Sequence, residues 1–470
     1  MIKYFYSFIG GKKQMSTLGS IEKIDPSKNK IQSIIKEIDT KILNRELKSF
    51  REKLDVSHPE RSKQISSIIE NLKKNKEKII KILVKETGRK RSDCNGEFEA
   101  SISCAEFFLG EGYRLFGHTR KSFDKDKIAF SIREPCGVAF LIMASNTPLA
   151  NLSWKFFPAF ICGNKIIIKG SEDVPELNDI FYRILINSGV SAREIMLIQG
   201  SGANLINTII KSGEYDVISF TGSSKVGRVI NQECANNLNK ISLELGGKNS
   251  IYIDEDCDFK NALNFVISSS FSNAGQRCAS SSKILVHKNI YKDFKKKLLL
   301  HIAKLTVGSS EKDFLGPVIN KKLYDRHNKL IEKYKNFIIA GKKNLLKNKK
   351  NNLNIYPTLI ENPPKNFDIY YEEIFGPIAL IFQVANINEA IKYCNDSLYG
   401  LTASIHTKSI SKMKLFVKKV SAGVCNINSG THGSEPHFPF GGLKNSGNGT
   451  REPGELAIDI YTNQKNITIK

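Results

Sequence analysis

A cysteine in the second half of the chain lies in a segment that suits a nucleophile. Cys278 follows a predicted helix, has Arg277 as its neighbour, and is soon followed by three serines rather than by an apolar core segment. A nearby cation and free backbone N–H groups lower the pKa of a thiol, so we expect a raised thiolate fraction at Cys278. A structural cysteine in a loop is the alternative, and the local sequence leaves both interpretations open.

A glutamate occupies the middle of an otherwise apolar strand. Glu244 lies between Leu243 and Leu245, and the strand ends in Gly246-Gly247. Because a buried carboxylate must be paired or protonated, this position fits a base whose pKa is tuned by partial burial. A buried salt-bridge partner explains the pattern equally well.

A third segment combines glycine with small hydroxyl residues at the junction of a buried strand and a helix. It contains Thr221, Gly222, Ser223 and Gly227. Such residues leave N–H groups free at a helix N-terminus, which forms a natural cradle for phosphate. The segment is not a G-x-G-x-x-G fingerprint, and tight-turn glycines are the alternative.

The elements that must position these residues alternate between strand and helix from about residue 134. Apolar runs of strand length predict strands at 137–142, 164–169, 195–198, 215–220, 250–253 and 284–287. Helical patterns predict helices at 59–84, 96–116, 259–271 and 291–305. Strands that are apolar on both faces and joined by helices indicate an α/β protein with doubly wound parallel sheets.

Two stretches give weaker signals. The first forty residues indicate one short strand, then turns around Asp25-Pro26, then a polar helix. The Lys- and Asn-rich stretch 341–354 is low in apolar content, so we expect a surface loop there.

Composition and charge bound the class of protein. A chain of 470 residues is too long for one ordinary core, so we expect two or three lobes. The net charge of +24 suggests a polyanion partner, but the excess is nearly all lysine spread along the chain, and we expect no specific nucleic-acid binding. No apolar run reaches the roughly 18 residues that cross a bilayer, so we expect no membrane partner and a cytoplasmic location.

The cysteines are scattered, with no C-x-x-C pair and no histidines at zinc-ligand spacing. They are Cys94, Cys104, Cys136, Cys162, Cys234, Cys257, Cys278, Cys394 and Cys425. An odd number of scattered thiols indicates a reducing compartment rather than a disulfide framework, and we expect no metal site.

Taken together, motifs along essentially the whole chain resemble those of the aldehyde dehydrogenase superfamily. In order they are Asn146-x-Pro148, Trp154-Lys155, Gly163-Asn164, Lys169-x-x-Glu172, Phe220-Thr221-Gly222-Ser223, Glu244-Leu245-Gly246-Gly247-Lys248, Gly275-Gln276-x-Cys278, Pro357-Thr358-Leu359, Glu373-Ile374-Phe375-Gly376-Pro377, Asn395-x-x-x-Tyr399-Gly400-Leu401 and Pro439-Phe440-Gly441-Gly442-x-Lys444-x-Ser446-Gly447. One such motif is a coincidence, whereas the ordered set is not.

The resemblance implies NAD-dependent oxidation of an aldehyde to a carboxylic acid through a thioester on Cys278. Asn146 matches the side-chain donor of an oxyanion hole, completed by the backbone N–H of Cys278. Glu244 matches the base that activates the hydrolytic water. Lys155 matches a lysine behind that glutamate, which helps relay protons.

The resemblance also implies a cofactor-binding set. Lys169 and Glu172 match residues at the adenine-side ribose, Ser223 with Thr221, Gly222 and Gly227 lies in the pyrophosphate segment, and Glu373 and Phe375 match residues at the nicotinamide end. Because the Glu172 carboxylate would repel a 2′-phosphate, we expect NAD, with NADP as the alternative.

Departures from the family pattern concern the substrate mouth. Ser145 and Thr147 stand where the family often has Trp and Phe, which makes the mouth more polar. Arg277 next to the nucleophile suggests a carboxylated semialdehyde as substrate, unless its side chain serves the fold. A CoA-acylating enzyme is disfavoured because Glu244 is present, and a catalytically silent binding or structural member is the alternative of another class.

The implied architecture has three parts. A Rossmann-like NAD-binding domain takes 1–115 and 136–246, and an α/β catalytic domain takes 247–445. A small β oligomerisation arm with the C-terminal tail takes 116–135 and 446–470. Because such arm strands need a partner sheet, we expect a homodimer or homotetramer.

Overall fold

The computed structural model describes residues 2–15, 19–51, 58–345 and 352–470. In chain order its strands are β1 Lys3–Phe5, β2 Phe8–Ile9, β3 Lys12–Lys13, β4 Ser20–Asp25, β5 Lys30–Lys36, β6 Thr119–Lys121, β7 Ile128–Pro135, β8 Val138–Ile142, β9 Lys165–Lys169, β10 Ile195–Ile198, β11 Val217–Thr221, β12 Lys240–Glu244, β13 Asn249–Ile253, β14 Ser281–His287, β15 Ile338–Ala340, β16 Thr358–Glu361, β17 Ile378–Val384, β18 Tyr399–Gly400, β19 Thr402–His406, β20 Val424–Ile427, β21 Leu443–Lys444 and β22 Thr462–Ile469.

Helices separate most of these strands. They are α1 Thr40–Phe50, α2 His58–Lys74, α3 Lys76–Thr87, α4 Arg91–Glu111, α5 Pro148–Ile161, α6 Pro175–Asn187, α7 Gly202–Ser212, α8 Ser224–Ala235, α9 Phe259–Phe271, α10 Tyr291–Lys304, α11 Lys321–Lys333, α12 Asp368–Tyr371, α13 Ile387–Asn395, α14 Ile410–Lys419 and α15 Ala457–Tyr461. In the described part of the chain, no helix is both long and apolar enough to span a membrane.

The first large sheet is parallel at its centre and covered on both faces. Its strand order is β12-β11-β8-β9-β10-β2-β3, and its two antiparallel pairs are β10 with β2 and β2 with β3. Alternate residues of β8 enter different cores: Leu141 packs among α2 to α6, whereas Phe140 packs among α1, α7 and α8. Because both faces are buried, the strand reads as a continuous apolar run, and the predicted doubly wound sheet is confirmed.

The second large sheet repeats this plan. Its order is β15-β16-β17-β14-β13-β19-β20, parallel except for β15 at one edge. The strands β13 and β14 also send alternate residues into two cores, with Leu285 on one face and Ile284 on the other. The chain is therefore an α/β protein with two sheets of this kind, as the sequence predicts.

A third sheet is formed by strands that are distant in sequence. β22 pairs antiparallel with β7 from Thr462↔Pro135 to Ile469↔Ile128, and β6 pairs with the other edge of β7. A small N-terminal sheet has the order β1-β5-β4.

The N-terminal prediction was wrong in part. The first forty residues form five short strands rather than one, because β4 and β5 are half-buried and their alternation is too short to stand out. The predicted helix 59–84 is two helices, α2 and α3, separated at Asn75. Of the predicted loop 341–354, residues 346–351 lie outside the described residues, and Lys342–Leu345 forms a 3-10 turn.

Candidate active site

The carboxyl ends of the parallel strands bring the predicted site residues to one side of the first sheet. Thr221 ends β11 directly beside Glu244 at the end of β12, and Ile142 of β8 pairs with Lys169 of β9. Loops that follow these ends meet loops of the second sheet around a cavity of about 660 Å³, called here the central cavity. Ligand sites in open α/β folds lie at this edge of the sheet.

The central cavity collects most of the predicted residues. Its lining includes Asn146, Lys155, Thr221, Gly222, Ser223, Glu244, Arg277, Cys278, Glu373 and Phe375. Lys169, Glu172 and Gly227 are not among its lining residues. The nucleophile, base and oxyanion candidates thus share one space.

Cys278 lies between α9 and β14 and is part-buried. Burial raises the pKa of its thiol to about 12, and the carboxyl groups of Glu244 and Glu373 add to this rise. The expectation of a lowered thiol pKa was therefore wrong in direction for the free protein. The neighbouring Arg277, whose Nη1 donates to Ser272 Oγ at 2.5 Å, does not reverse this rise, because loss of water outweighs the favourable backbone N–H groups at Cys278 and Ala279.

Glu244 is buried, and neither of its carboxyl oxygens has a hydrogen-bond partner among the described residues. Burial raises the pKa of this carboxyl well above its usual value, and the nearby Glu452 adds to the effect. A carboxyl group without a fixed partner and with a raised pKa accepts a proton readily. The salt-bridge alternative from the sequence finds no support, since no cation pairs with Glu244 in the described chain.

A polar cluster lies behind Glu244. Lys155 Nζ donates to Ser219 Oγ and to Glu452 Oε2, each at 2.6 Å. Ser219 Oγ donates to Glu452 Oε1 at 2.7 Å, and Tyr461 OH donates to the same oxygen at 3.1 Å. Lys155 and Glu452 are both buried, so each charge is balanced by the other inside the protein.

Glu452 was missed by the sequence reasoning, although it lines the central cavity. It lies 297 positions from Lys155 and in an irregular segment, so no local pattern connects the two. The only available signal is the rule that a buried lysine needs a carboxylate partner.

Asn146 precedes helix α5 and is buried. Its Nδ2 donates to the backbone oxygen of Gln276 at 2.9 Å, so its amide is fixed toward the loop that carries Cys278. The start of α5 is capped by Glu97, whose Oε1 accepts from Leu149 N at 2.7 Å and Ala150 N at 3.1 Å. Glu97 is therefore a second residue that local sequence did not reveal.

The adenine-side candidates lie at the end of β9. Lys169 Nζ is 3.7 Å from Glu172 Oε2, and burial lowers the pKa of Lys169 although Glu172 opposes this. The Glu172 carboxylate is half-exposed. A Cβ on Gly202 would lie 3.9 Å from Glu172 Oε1, which is an ordinary contact distance, so Gly202 lies beside the carboxylate without being required there.

The turn after β11 shows why its glycines are needed. A Cβ on Gly222 would lie 2.4 Å from the ring of Phe220, and one on Gly227 would lie 2.5 Å from Leu245. Close packing thus accounts for both glycines, Gly222 in the turn and Gly227 inside α8. Ser223 caps α8 and accepts from Val226 N at 3.4 Å.

At the other end of the cofactor set, Glu373 is held beside Gly247, whose N–H donates to its Oε1 at 3.2 Å. Burial raises the pKa of Glu373 to about 7. A Cβ on Gly246 would lie 2.2 Å from Glu373 Oε2, so the carboxylate needs glycine there. Phe375 lines the same cavity with a positive φ of 52°. A carboxylate beside an aromatic ring fits the ribose and ring of a nicotinamide nucleotide.

Two arginines face the substrate side of the central cavity. Arg89 is paired with the buried Glu97. Arg277 has the Ser272 hydroxyl as its partner, and no carboxylate of the described chain forms an ion pair with it. Burial lowers the pKa of Arg277 to about 10, and the charge of Arg89 adds to this effect.

Comparison with known proteins defines the class. Residues 13–467 match the model of the aldehyde dehydrogenase family, and the chain belongs to that family. The protein is an oxidoreductase that acts on an aldehyde group, as the sequence predicts.

Particular relatives are similar over most of the chain. The α-ketoglutaric semialdehyde dehydrogenase of Bacillus subtilis (strain 168) is 33% identical over 419 residues, with 87% of this chain and 86% of the relative covered. The 2,5-dioxopentanoate dehydrogenase of Saccharolobus solfataricus is 31% identical, with 93% and 92% covered. A crystal structure of betaine aldehyde dehydrogenase from Staphylococcus aureus in complex with NAD+ matches with a TM-score of 0.93 at 27% identity, covering 98% of this chain and 94% of that one.

Proposed function

We propose that Cys278 is the nucleophile and Glu244 the base of this aldehyde oxidation. The observation that carries the proposal is that both face one cavity, where the carboxyl oxygens of Glu244 have no partner among the described residues. Because burial disfavours a free thiolate, Cys278 stays a thiol until it attacks, and its proton passes to the Glu244 carboxylate as the sulfur bonds to the aldehyde carbon.

Asn146 and the backbone N–H of Cys278 hold the oxyanion that this attack creates. NAD, when bound, accepts the hydride that leaves the former aldehyde carbon, and a thioester remains on Cys278. After Glu244 has released the thiol proton toward Lys155 and Glu452, it takes a proton from a water molecule, whose oxygen attacks the thioester carbon. The Cys278 sulfur leaves, and the product is a carboxylate.

Lys155 and Glu452 carry the proton away from Glu244 in this proposal. Glu452 raises the pKa of Glu244, whereas Lys155 lowers it, so the pair sets how readily the base releases its proton. Ser219 and Tyr461 hold Glu452 by hydrogen bonds.

The cofactor assignment follows the fit of the residues present. Lys169 and Glu172 bind the adenine-side ribose, and the turn with Thr221, Gly222 and Ser223 approaches the pyrophosphate. Gly227 lets α8 pack closely on Leu245 beneath that turn. Glu373 and Phe375 position the nicotinamide end.

The substrate is a carboxylated semialdehyde in this proposal, with Arg277 as its anion-binding group. Arg277 lacks the carboxylate partner that Arg89 has in Glu97. A guanidinium without a protein counter-charge binds a carboxylate by two parallel hydrogen bonds. The relatives from Bacillus subtilis and Saccharolobus solfataricus are named for semialdehyde or dioxo-acid substrates, which supports this choice.

The experiment that tests the reaction and its substrate class follows NADH absorbance with matched aldehydes. A carboxylated semialdehyde and a neutral aldehyde of equal chain length are compared at several concentrations. We expect NADH from both and a higher kcat/KM for the carboxylated one. No NADH from any aldehyde contradicts the proposed function, whereas equal kcat/KM values contradict only the substrate class.

The domain division 1–115 with 136–246, 247–445, and 116–135 with 446–470 is part of this proposal. The first large sheet ends at Glu244 and the second begins at Asn249, which supports the boundary near 246. β22 lies at the edge of the third sheet, so its outer side is free for a second copy in a dimer or tetramer. A cytoplasmic location fits a chain whose cysteines are all free in the structure.

A further inference from the structure

A ring of hydrogen bonds joins the loops of the two large sheets beside the central cavity. It is called here the interlobe ring, and its members are Ser145, Asn146, Asp173, Gln276, Ile319 and Asn320. One half of it centres on Asp173. Its Oδ2 accepts from Ser145 Oγ at 3.1 Å and from Asn320 Nδ2 at 2.9 Å.

The other half of the ring centres on Gln276, two positions before the nucleophile. Gln276 Oε1 accepts from Ile319 N at 2.9 Å, and its backbone oxygen accepts from Asn146 Nδ2 at 2.9 Å. The peptide bonds between Ser145 and Asn146 and between Ile319 and Asn320 close the ring. The oxyanion candidate is therefore fixed from two directions.

Asn320 belongs to the second half of the chain, whereas Ser145 and Asp173 follow strands of the first sheet. Asn320 Oδ1 also accepts from Leu323 N at 3.0 Å and caps α11, the helix whose Leu323 and Arg326 line the central cavity. Lys23 Nζ donates to Ile319 O at 3.3 Å and holds the same segment. The contact between Asp173 and Asn320 thus links the cavity's two sides.

Ser145 gives this ring its polar connection. Its hydroxyl is the group that donates to Asp173 Oδ2. A carboxylate that accepts two hydrogen bonds makes charge-assisted contacts, which are stronger than neutral ones. Ser145 therefore lines the central cavity and also joins the turn of Asn146 to Asp173.

We propose that Asp173 and Asn320 are positioning residues, which hold the Ser145–Asn146 turn at a fixed place relative to the loop of Cys278. Asp173 acts through Ser145, and Asn320 acts through Asp173. This inference rests on the proposed function, because the turn matters only if Asn146 binds the oxyanion. Loss of the link lets the Asn146 amide drift, and a displacement of about 1 Å costs on the order of 100-fold in rate.

The test exchanges the two polar groups. Asn320→Asp keeps the oxygen that caps α11 but removes the Nδ2 donor and places two carboxylates together. Asp173→Asn keeps an acceptor for both donors. In the double variant Asp173→Asn/Asn320→Asp, the amide of residue 173 donates to the carboxylate of residue 320, and the link forms again.

The readout is the rate constant of NADH formation in the first turnover, measured by rapid mixing with saturating NAD and aldehyde. We expect a decrease of roughly 10- to 100-fold for Asn320→Asp, with KM for NAD within about threefold of the original. The first-turnover rate constant of Asp173→Asn should fall roughly two- to threefold. That of the double variant should recover to within about fivefold of the unmodified protein. The first-turnover rate constant of Asp173→Ala should fall by the same factor as that of Asn320→Asp.

Controls separate positioning from stability. Asp179→Ala removes a nearby surface carboxylate of α6 that pairs with Arg183, and it should leave the first-turnover rate unchanged. Thermal unfolding should move little in Asn320→Asp, because the helix cap is kept. If the ring variants are less stable but the protein that stays folded keeps the original first-turnover rate constant, Asp173 and Asn320 have a merely structural role.

The outcomes are distinct for the two proposals. An Asn320→Asp variant as fast as the unmodified protein, or a double variant no faster than Asn320→Asp, overturns the inference. An unmodified protein that makes no NADH overturns the proposed function and the inference with it. If the unmodified protein forms NADH in the first turnover and the ring variants form it at the same rate, the inference is overturned and the proposed function is not.

Discussion

Lys155 Nζ lies 2.6 Å from Glu452 Oε2, although 297 positions of the sequence separate the two residues. The contact brings the C-terminal segment against helix α5 behind Glu244. A buried lysine and a buried glutamate stabilise each other only as a pair, because either charge alone would lose its water without compensation. The base therefore depends on a segment far from it in sequence.

Replacing Glu452 by glutamine should shift the pH dependence of turnover. Glu452 raises the pKa of Glu244, so its neutralisation lowers that pKa. A base is active when deprotonated, and the acid side of the kcat profile should therefore move to lower pH. Measurement of kcat against pH checks this direction.

Tyr461→Phe is the matched control for that change. It removes the 3.1 Å hydrogen bond to Glu452 Oε1 but leaves the charge in place, so the acid side should stay near its original pH. If the acid side of the kcat profile moved to higher pH in Glu452→Gln, this would contradict the role given to Glu452. The free energy of unfolding of Glu452→Gln should also fall, by up to about 3–5 kcal/mol, because Lys155 loses its counter-charge.

Replacing Glu172 by glutamine should weaken the preference for NAD over NADP. The carboxylate repels a 2′-phosphate, with a cost of roughly 1–3 kcal/mol, which corresponds to about ten- to a hundredfold in kcat/KM. We expect the ratio of kcat/KM for NAD over NADP to fall by that factor. Equal kcat/KM values for the two cofactors in the unmodified protein would rule out the proposed discrimination.

Replacing Arg277 by alanine should remove the preference for a carboxylated semialdehyde. A hydrogen bond to a charged group contributes about 1.5–3 kcal/mol, so the ratio of kcat/KM for carboxylated over neutral aldehydes should fall by roughly ten- to a hundredfold. Ser272→Ala is the control, because it removes the partner of Arg277 but keeps the cation. An unchanged ratio in Arg277→Ala shows that the side chain serves the fold.

Six buried parallel strands could be predicted from sequence because each carries its own signal, whereas the buried parallel strands Ile378–Val384 and Thr402–His406 were not predicted. Strand Val138–Ile142 is buried along its whole length and is a continuous apolar run. Strand Lys30–Lys36 mixes lysines with isoleucines and buries Gln32 and Ser33 while Ile31 is exposed, so its burial does not follow an alternation of apolar residues.

Motifs in the sequence predict residues that line the central cavity, whereas residues that contribute only through tertiary contacts were missed. Cys278, Glu244 and Asn146 lie in recognisable segments and line one cavity. Glu452, Glu97 and Asp173 act through partners that lie far away in sequence, which no local pattern specifies. The direction of the thiol pKa was missed for the same reason, because burial by distant segments outweighs the neighbouring arginine.

The most direct measurement of the central claim combines rapid mixing with intact-mass analysis of Glu244→Gln. Hydride transfer needs Cys278, the oxyanion donors and NAD, whereas hydrolysis needs an activated water. We expect turnover to fall by roughly 10²–10⁴ while one equivalent of NADH still forms and an acyl group stays on the protein. Because Glu244 also takes the thiol proton in the proposed function, this first turnover should be slower than in the unmodified protein and should speed up as a higher pH forms the thiolate without a base.

Two cysteine variants complete the measurement. Cys278→Ser should form no NADH and carry no acyl group. Cys257 is a part-buried cysteine outside the lining of the central cavity, so Cys257→Ser should form NADH and turn over as the unmodified protein does. An acylated Glu244→Gln protein beside an inactive Cys278→Ser protein is the predicted result. Sustained turnover by Cys278→Ser would contradict the account, because another group would then be the nucleophile.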